Sequence, residues 1–289
     1  MVNPTRREFL AAAAVAAAAA APKPVVAGHP WVYAATLPAN DITPVLPRIF
    51  ADMKWAGMEA VELMHVALRP PDAVERIAEL AGKHKLPVIG MSYSANMWKR
   101  EEHGAILDEA GLLVGRLGKL GGRLLGTSVG AAGRRKTAAE FDAQAELLRK
   151  LTALCRENGV VLNLHNHTYE VADGEYDLNG TLERLPDVKL GPDLNWLRRA
   201  KVDPVDFIRR RGSRMVYAHL RDEKRDGTWP EAMGEGDMDY AAIGRALKEA
   251  RFHGDVGIEL AHEKGFTPTR PLRESLKMSR EYVRRVIGW

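Results

Sequence analysis

Residues 160–170 read VVLNLHNHTYE, a short apolar run that ends in two histidines and a glutamate. Side chains two positions apart on a β-strand share one face, so His165 and His167 are predicted to project into the same space. That space is a metal site, a catalytic pocket, or a core that holds two hydrogen-bonded imidazoles. The residues at which similar runs end elsewhere in the chain help to distinguish these three alternatives.

Seven further runs of this kind recur along the chain: WVYAAT (31–36), EAVELM (59–64), PVIGMSY (87–93), RLLGTSV (123–129), VKLGPD (188–193), MVYAHL (215–220) and DVGIEL (255–260). Segments with helical periodicity, such as 141–158 and 240–254, separate them. The runs start roughly 27 to 40 residues apart, the length of one strand plus one crossover helix. Eight such units predict an α/β fold, a single-domain (β/α)₈ TIM barrel over residues 28–289.

The N-terminus carries a different pattern. TRREFL (5–10) contains a twin arginine, and the alanine-rich stretch that follows it to Ala21 is too short to span a bilayer. Val25-Val26-Ala27 then offers a small residue at which a signal peptidase can cut. Residues 1–27 are therefore predicted to be a twin-arginine signal peptide. The mature chain is expected in the periplasm, without stable membrane insertion.

Composition excludes several partners. The formal net charge is +4, and the signal segment holds three basic residues and one acidic residue, which leaves a mature net charge of +2. That balance is too mild to predict nucleic-acid binding. The single cysteine, Cys155, can form no intrachain disulfide and makes a poor zinc site. Homo-oligomer formation is left open.

In TIM barrels, chemistry collects where the strands end. His165 and His167 end the fifth predicted strand, Asp193 ends the sixth, and His219 and Glu259 lie near the ends of the seventh and eighth. Four consecutive strands thus deliver metal-competent side chains to one rim. Imidazole and carboxylate ligands without thiolate suit one divalent ion, Mn²⁺, Mg²⁺, Co²⁺ or Zn²⁺, and the sequence does not select among them.

Five segments, in this order, carry a family resemblance: LHNHTYE, GPDLNWLRRAKVDP, VYAHLRD, MGEGDMDY and GIELAHE. They resemble the sugar phosphate isomerase/epimerase family of xylose-isomerase-like TIM barrels. The resemblance implies one metal ion held by Asp193, His219 and Glu259. Many relatives place a glutamate where this chain has His165. Either His165 replaces that ligand or Glu170 folds back to supply it, and we slightly favour Glu170.

The resemblance implies a metal-dependent isomerase or epimerase that works through an enediolate. Glu259 is the expected base, and His165, His167 or Glu170 is the second acid/base group. In relatives with a glutamate at the position of His165, that residue and the glutamate on strand eight are two opposed acid/base groups. This chain lacks that pair, so a lyase or hydrolase that acts by β-elimination or dehydration on 3-keto-glycosides or keto-polyols is a second possibility. Export argues against a phosphorylated substrate, so a free keto-sugar or keto-inositol is predicted. A non-catalytic carbohydrate-binding barrel is a further alternative.

Five side chains are predicted to contact this carbohydrate: His167, Trp196, Arg221, Asp222 and Glu235. Arg221 stands where many relatives have lysine, and its fork of donors either holds a substrate oxygen or forms a salt bridge. Trp196 either stacks on a sugar ring or packs the start of a helix. Glu235 lies between two glycines, in a turn that is able to approach the pocket.

Overall fold

The computed structural model describes residues 23–289, so the predicted twin-arginine motif and the whole alanine-rich stretch lie outside the described residues. Eight parallel strands form one sheet in the order β6-β5-β4-β3-β2-β1-β8-β7. The bridge pairs Leu190–Met215 and Asp193–His219 join its two edges. The strands are β1 Val26–Gly28, β2 Ala60–Met64, β3 Val88–Ser94, β4 Leu124–Ser128, β5 Val161–Leu164, β6 Lys189–Leu190, β7 Tyr217–Leu220 and β8 Asp255–Ile258.

Helices follow the strands and cover the outside of the sheet. They are α1 Trp31–Ala34, α2 Leu46–Trp55, α3 Ala73–His84, α4 His103–Lys119, α5 Ala138–Glu157, α6 Thr168–Arg184, α7 Leu194–Arg199, α8 Pro204–Arg211, α9 Tyr240–Glu249 and α10 Leu272–Val286. Short 3₁₀ turns are formed by Pro38–Asn40, Thr43–Val45, His65–Leu68, Arg100–Glu102 and Gly212–Arg214. This alternation confirms the single-domain TIM barrel.

The first strand differs from its prediction. Residues 31–34 of the predicted strand WVYAAT are helical, and the strand is formed upstream by Val26, Ala27 and Gly28, which are fully or almost fully buried. This strand pairs with both β2 and β8. The predicted boundary between residues 27 and 28 falls inside β1. A strand of three residues is too short to show an alternating pattern, which explains the wrong assignment.

Small residues inside the barrel make room for the side chains beneath the site. A Cβ added at Gly257 would lie 2.4 Å from the Tyr217 hydroxyl oxygen, and one at Gly191 would lie 1.9 Å from Oδ1 of Asn163. Both distances are far inside van der Waals contact, so a larger residue at either position would force these side chains to move. The space that the two glycines leave lets polar side chains of β5 and β7 lie inside the barrel, directly below the cavity described next.

The main hydrophobic core lies between the strands and the surrounding helices. A second, smaller cluster joins residues of five strands: Ala27, Ala60, Ile89, Leu124 and Tyr217. Within residues 23–289, no helix is long and apolar enough to cross a membrane. The barrel is therefore held by apolar packing on both sides of its strands, which leaves their C-terminal ends for polar groups.

Candidate active site

A cavity of about 480 Å³ opens at the C-terminal ends of the strands. Its walls are formed by residues from most of the strands: His29, Trp31, Ala35, Met64, His65, Ser92, Tyr93, Ser94, Gly126, Ser128, His165, His167, Trp196, His219, Arg221, Trp229, Glu259 and His262. Imidazole groups and one carboxylate lie at its base. The rim position agrees with the expectation that chemistry collects where the strands end.

Three histidines and one glutamate converge at the base of this cavity. Nδ1 of His219 lies 3.2 Å from Nδ1 of His165 and 3.2 Å from Oε2 of Glu259. Nδ1 of His29 lies 3.4 Å from the same Oε2 atom. Two groups of donor atoms have all members within 4.8 Å of one another: His29, His219 and Glu259, and His165, Asp193 and His219. Donor atoms bound tetrahedrally to one ion at about 2.1 Å lie roughly 3.4 Å apart, so the set fits a divalent ion.

His219 is oriented from behind by Glu62 on β2. Its Nε2 atom lies 2.6 Å from Oε2 of Glu62, which also accepts a hydrogen bond of 2.9 Å from the Tyr217 hydroxyl. Burial by itself lowers the pKa of His219, but the carboxylates of Glu62 and Glu259 outweigh it and raise that pKa to about 9. The contact with Nε2 turns Nδ1 toward the other donors. Such a carboxylate behind a ligating histidine fixes the ring and its tautomer.

Arg221 joins the two carboxylates of the site. Its Nη2 atom bonds Oε1 of Glu259 and lies 3.4 Å from Oδ2 of Asp193, and its Nε donates to the Glu259 carbonyl at 3.1 Å. Burial opposes ionisation of Glu259, but the guanidinium and the nearby imidazoles hold the pKa of Glu259 well below its ordinary value. Burial raises the pKa of Asp193 despite the same guanidinium. Arg221 thus neutralises one oxygen of Glu259 and leaves Oε2 facing the imidazoles.

The two histidines of the fifth strand are neutral in this setting. Burial, together with its histidine neighbours, lowers the pKa of His165 well below the ordinary value, and burial lowers the pKa of His167 to about 4. The Ser128 hydroxyl lies 2.9 Å from Nδ1 of His167. The lowered pKa values favour the neutral form of both imidazoles.

Glu170, the alternative ligand on the fifth strand, is not brought to the converging donors. It is the third residue of α6, and its carboxylate accepts from the His167 backbone N–H at 2.7 Å, as in a capping box. The Ser128 hydroxyl and the Val129 N–H donate to its other oxygen. Burial raises the pKa of Glu170 to about 7. The geometry favours His165 over Glu170 as the fifth-strand donor.

The predicted substrate contacts divide into two sets. His167, Trp196 and Arg221 line the cavity, whereas Asp222 and Glu235 do not. The Asp222 carboxylate accepts from four backbone N–H groups of the loop between β7 and α9, those of residues 223, 234, 236 and 238. Glu235 is paired with Arg270. These two acidic residues hold loops in place and do not face the cavity.

Sequence reasoning missed His29, Trp31 and Trp229, and assigned Glu62 no specific role. His29 directly follows β1, so the misplaced first strand concealed it. A signal was present, because a histidine follows the apolar run VVAG just as His165 follows VLNL. Trp229 lies on the loop between β7 and α9, where no local pattern predicts its position.

The fold and the site define a TIM barrel with a candidate metal centre at its rim. Residues 50–282 match the profile of the xylose isomerase-like TIM barrel family, so the chain belongs to that family. It is 24% identical over 175 residues to the inosose dehydratase of Geobacillus kaustophilus, a match that covers 53% of this chain and 55% of that protein. The chain thus aligns with about half the length of this curated relative.

Two solved structures illustrate the shared architecture. L-ribulose 3-epimerase superposes with a TM-score of 0.75 at 17% identity, covering 92% of this chain and 95% of the other. The 3-keto-D-glucoside 4-epimerase of E. coli superposes with a TM-score of 0.66 at 15% identity, covering 90% and 100%. At these identities the likeness establishes the fold alone.

Proposed function

We propose that this protein is a metal-dependent enzyme that acts beside the ketone of an unphosphorylated keto-sugar or keto-polyol, and that its reaction is an elimination. The observation that carries the proposal is the composition of the cavity. Among the described residues that line it, Glu259 supplies a carboxylate, His165 and His167 supply imidazoles of lowered pKa, and Arg221 is already bonded to Asp193 and Glu259. Among the described residues of that wall there is no lysine, and the arginine, Arg221, is already paired and not free to bind a phosphate.

The metal would be held at two overlapping groups of donors that share His219: His29, His219 and Glu259, and His165, Asp193 and His219. A divalent ion bound there would polarise the substrate ketone and stabilise the negative charge that develops on its oxygen. Three imidazoles make this donor set richer in nitrogen than the oxygen-only sites that Mg²⁺ prefers. We therefore propose Zn²⁺ or Co²⁺ ahead of Mn²⁺ and Mg²⁺.

Proton transfer would use groups that are already deprotonated. Glu259 is ionised because its pKa lies well below the ordinary value, and His167 is neutral with a pKa of about 4. Either group can accept the proton from the carbon next to the ketone. The resulting conjugate acid can then give that proton to a group leaving from the next carbon. Each step is balanced: a C–H bond and a C–O bond break, a C=C bond forms, and water or an alcohol departs.

Epimerisation is the second candidate, because Glu259 and the imidazoles approach the cavity from separate strands. An epimerase must return a proton to the opposite face, which requires one of two opposed groups to start protonated. Glu259, with its lowered pKa, and His167, with a pKa of about 4, both favour the deprotonated form at neutral pH, so neither of these two groups starts with that proton. The lack of a protonated partner for Glu259 among these groups supports elimination. The similarity to a protein named for dehydration of an inosose supports it as well.

The location of the enzyme is part of the proposal. The twin arginine at Arg6-Arg7 and the alanine-rich stretch after it support export to the periplasm. Sugar phosphates are metabolites of the cytoplasm, so an exported enzyme would meet unphosphorylated sugars. Within residues 23–289, no lysine lines the cavity and Arg221 is already paired, which supports the same substrate class independently of export.

The test combines metal analysis with product analysis in D₂O. The purified chain, loaded with Zn²⁺ or Co²⁺, is incubated with inososes, free keto-sugars and 3-keto-glucosides, and the products are followed by NMR. Elimination releases water or the alcohol and creates a vinylic carbon, whereas epimerisation introduces deuterium without loss of a group. His167→Gln should slow turnover and Glu235→Gln, outside the cavity, should not. Absence of any reaction with every loaded metal would refute the proposal.

A further inference from the structure

The outer part of the cavity is aromatic, in contrast to its polar base. Trp31, Trp196, Trp229 and Tyr93 lie on its wall together with Met64. Such surfaces bind the flat faces of rings and gain from burial of apolar area. The cavity volume of about 480 Å³ lies within the range of pockets that enclose drug-sized ligands, which leaves room beyond a single sugar ring.

Two of these indoles form a right-angled corner beside the catalytic groups. The rings of Trp196 and Trp229 are 5.7 Å apart and inclined at 89°. Trp196 lies in the first turn of α7, where its backbone N–H donates to Oδ1 of Asp193 at 3.0 Å. The corner is thus attached directly to a residue of the candidate metal centre, so a group seated in it lies next to the reacting sugar.

Contacts within the protein hold the two indoles of the corner in place. Nε1 of Trp229 donates to Oδ1 of Asn195 at 2.9 Å. The Arg199 guanidinium lies 3.9 Å from the Trp229 ring centre, and that of Arg221 lies 5.4 Å from Trp196 and 5.2 Å from Trp229. Cations over these ring faces hold the indoles in place. A wall that is already ordered costs little conformational entropy when a planar group binds.

We propose that the substrate is an uncharged keto-glycoside with an aromatic aglycone, and that the Trp196–Trp229 corner binds this aglycone. The inference rests on the proposed function and names its substrate class. For a glycoside oxidised at C3, the base removes the proton on C2, the C1–O bond breaks, and a C1=C2 double bond forms. The aglycone leaves as a phenol after it receives the same proton. No oxidant or further reactant is needed.

The first test measures binding without chemistry. Phenyl and methyl glucosides that have not been oxidised lack the ketone and cannot react, so their dissociation constants from the metal-loaded wild type report the aglycone site alone. The phenyl glucoside is expected to bind at least about tenfold more tightly, which corresponds to about 1.4 kcal/mol. Equal binding of the two would overturn the inference and would mean that the indoles stack on the sugar itself.

Variants then locate the site. Trp229→Ala should reduce the phenyl preference to about twofold or less, whereas Trp55→Ala, a change at an exposed tryptophan on the outer surface, should preserve it. If Trp229→Ala does not fold, Trp31→Ala provides a second change on the same wall. A full phenyl preference in folded Trp229→Ala and Trp31→Ala would place the aglycone elsewhere and refute the assignment.

Turnover separates this inference from the proposed function. Phenyl and methyl 3-keto-glucosides are compared by kcat/KM in the metal-loaded wild type. Equal values with clear elimination would refute the aromatic aglycone and leave the proposed reaction intact. A phenyl preference in binding, with no reaction of any keto-glycoside, would refute the proposed reaction and support the aromatic site.

Discussion

Replacement of Glu170 by glutamine tests whether this residue caps a helix or binds the metal. The buried carboxylate, 3% exposed, accepts hydrogen bonds from the His167 and Val129 N–H groups and from Ser128. Glutamine has nearly the same shape and keeps one oxygen acceptor. We therefore expect Glu170→Gln to bind the same amount of metal as wild type, whereas His165→Gln should bind it more weakly.

The expected change in stability follows from the raised pKa of Glu170, which is about 7 instead of 4.5 because the carboxyl group is buried. Between pH 4.5 and 7 the folded state holds a proton that the unfolded state has lost, so stability falls as pH rises through this range. A shift of this size corresponds to about 3 kcal/mol. Glu170→Gln cannot titrate, so its stability relative to wild type should rise by up to that amount between pH 4.5 and 8.

The assay is urea unfolding of the metal-free proteins across this pH range, with EDTA present. Glu140→Gln is the matched control, because Glu140 holds the same third position in the capping box of α5 and its pKa is lowered to about 2 by the Arg134 guanidinium and by hydrogen bonds with Thr137. The difference in unfolding free energy between Glu140→Gln and wild type should stay constant above pH 4.5. If Glu170→Gln lost its metal, or if its difference in unfolding free energy from wild type did not change with pH, the role of Glu170 as a buried helix cap would be refuted.

Three further predictions follow from the same geometry. Glu62→Gln should weaken metal affinity about 10- to 100-fold, because it removes the carboxylate that orients His219. Competition with a metal indicator measures this affinity, and an unchanged affinity would contradict the orienting role of Glu62. Arg221→Met should destabilise the metal-free protein by about 3–5 kcal/mol, because two buried carboxylates lose their shared partner, and saturating metal should restore part of that loss in urea unfolding. A chain that begins at Lys23 should fold. A chain that begins at Gly28 should lose its cooperative thermal transition, because it lacks the first two residues of β1. Equal melting curves for the two chains would show that β1 is dispensable.

The sequence by itself determined the barrel and most of its rim. Alternation of short apolar runs and helical segments is a local pattern, and it placed seven of the eight strands close to their observed bounds. It also identified His165, Asp193, His219 and Glu259 as side chains at consecutive strand ends. Parallel strands with crossover helices leave their carboxyl ends at one edge, so the convergence of these residues follows from the fold class alone.

Only the tertiary structure decided how these groups divide their roles. Glu170 and His165 are five residues apart in sequence, but the N-terminus of α6 takes the carboxylate of Glu170 and leaves His165 facing the centre. His29 and Glu62 join the site from β1 and β2, more than 100 residues away along the chain. Their contacts depend on closure of the barrel and on burial, which are properties of packing between distant segments and leave no periodic mark in the sequence.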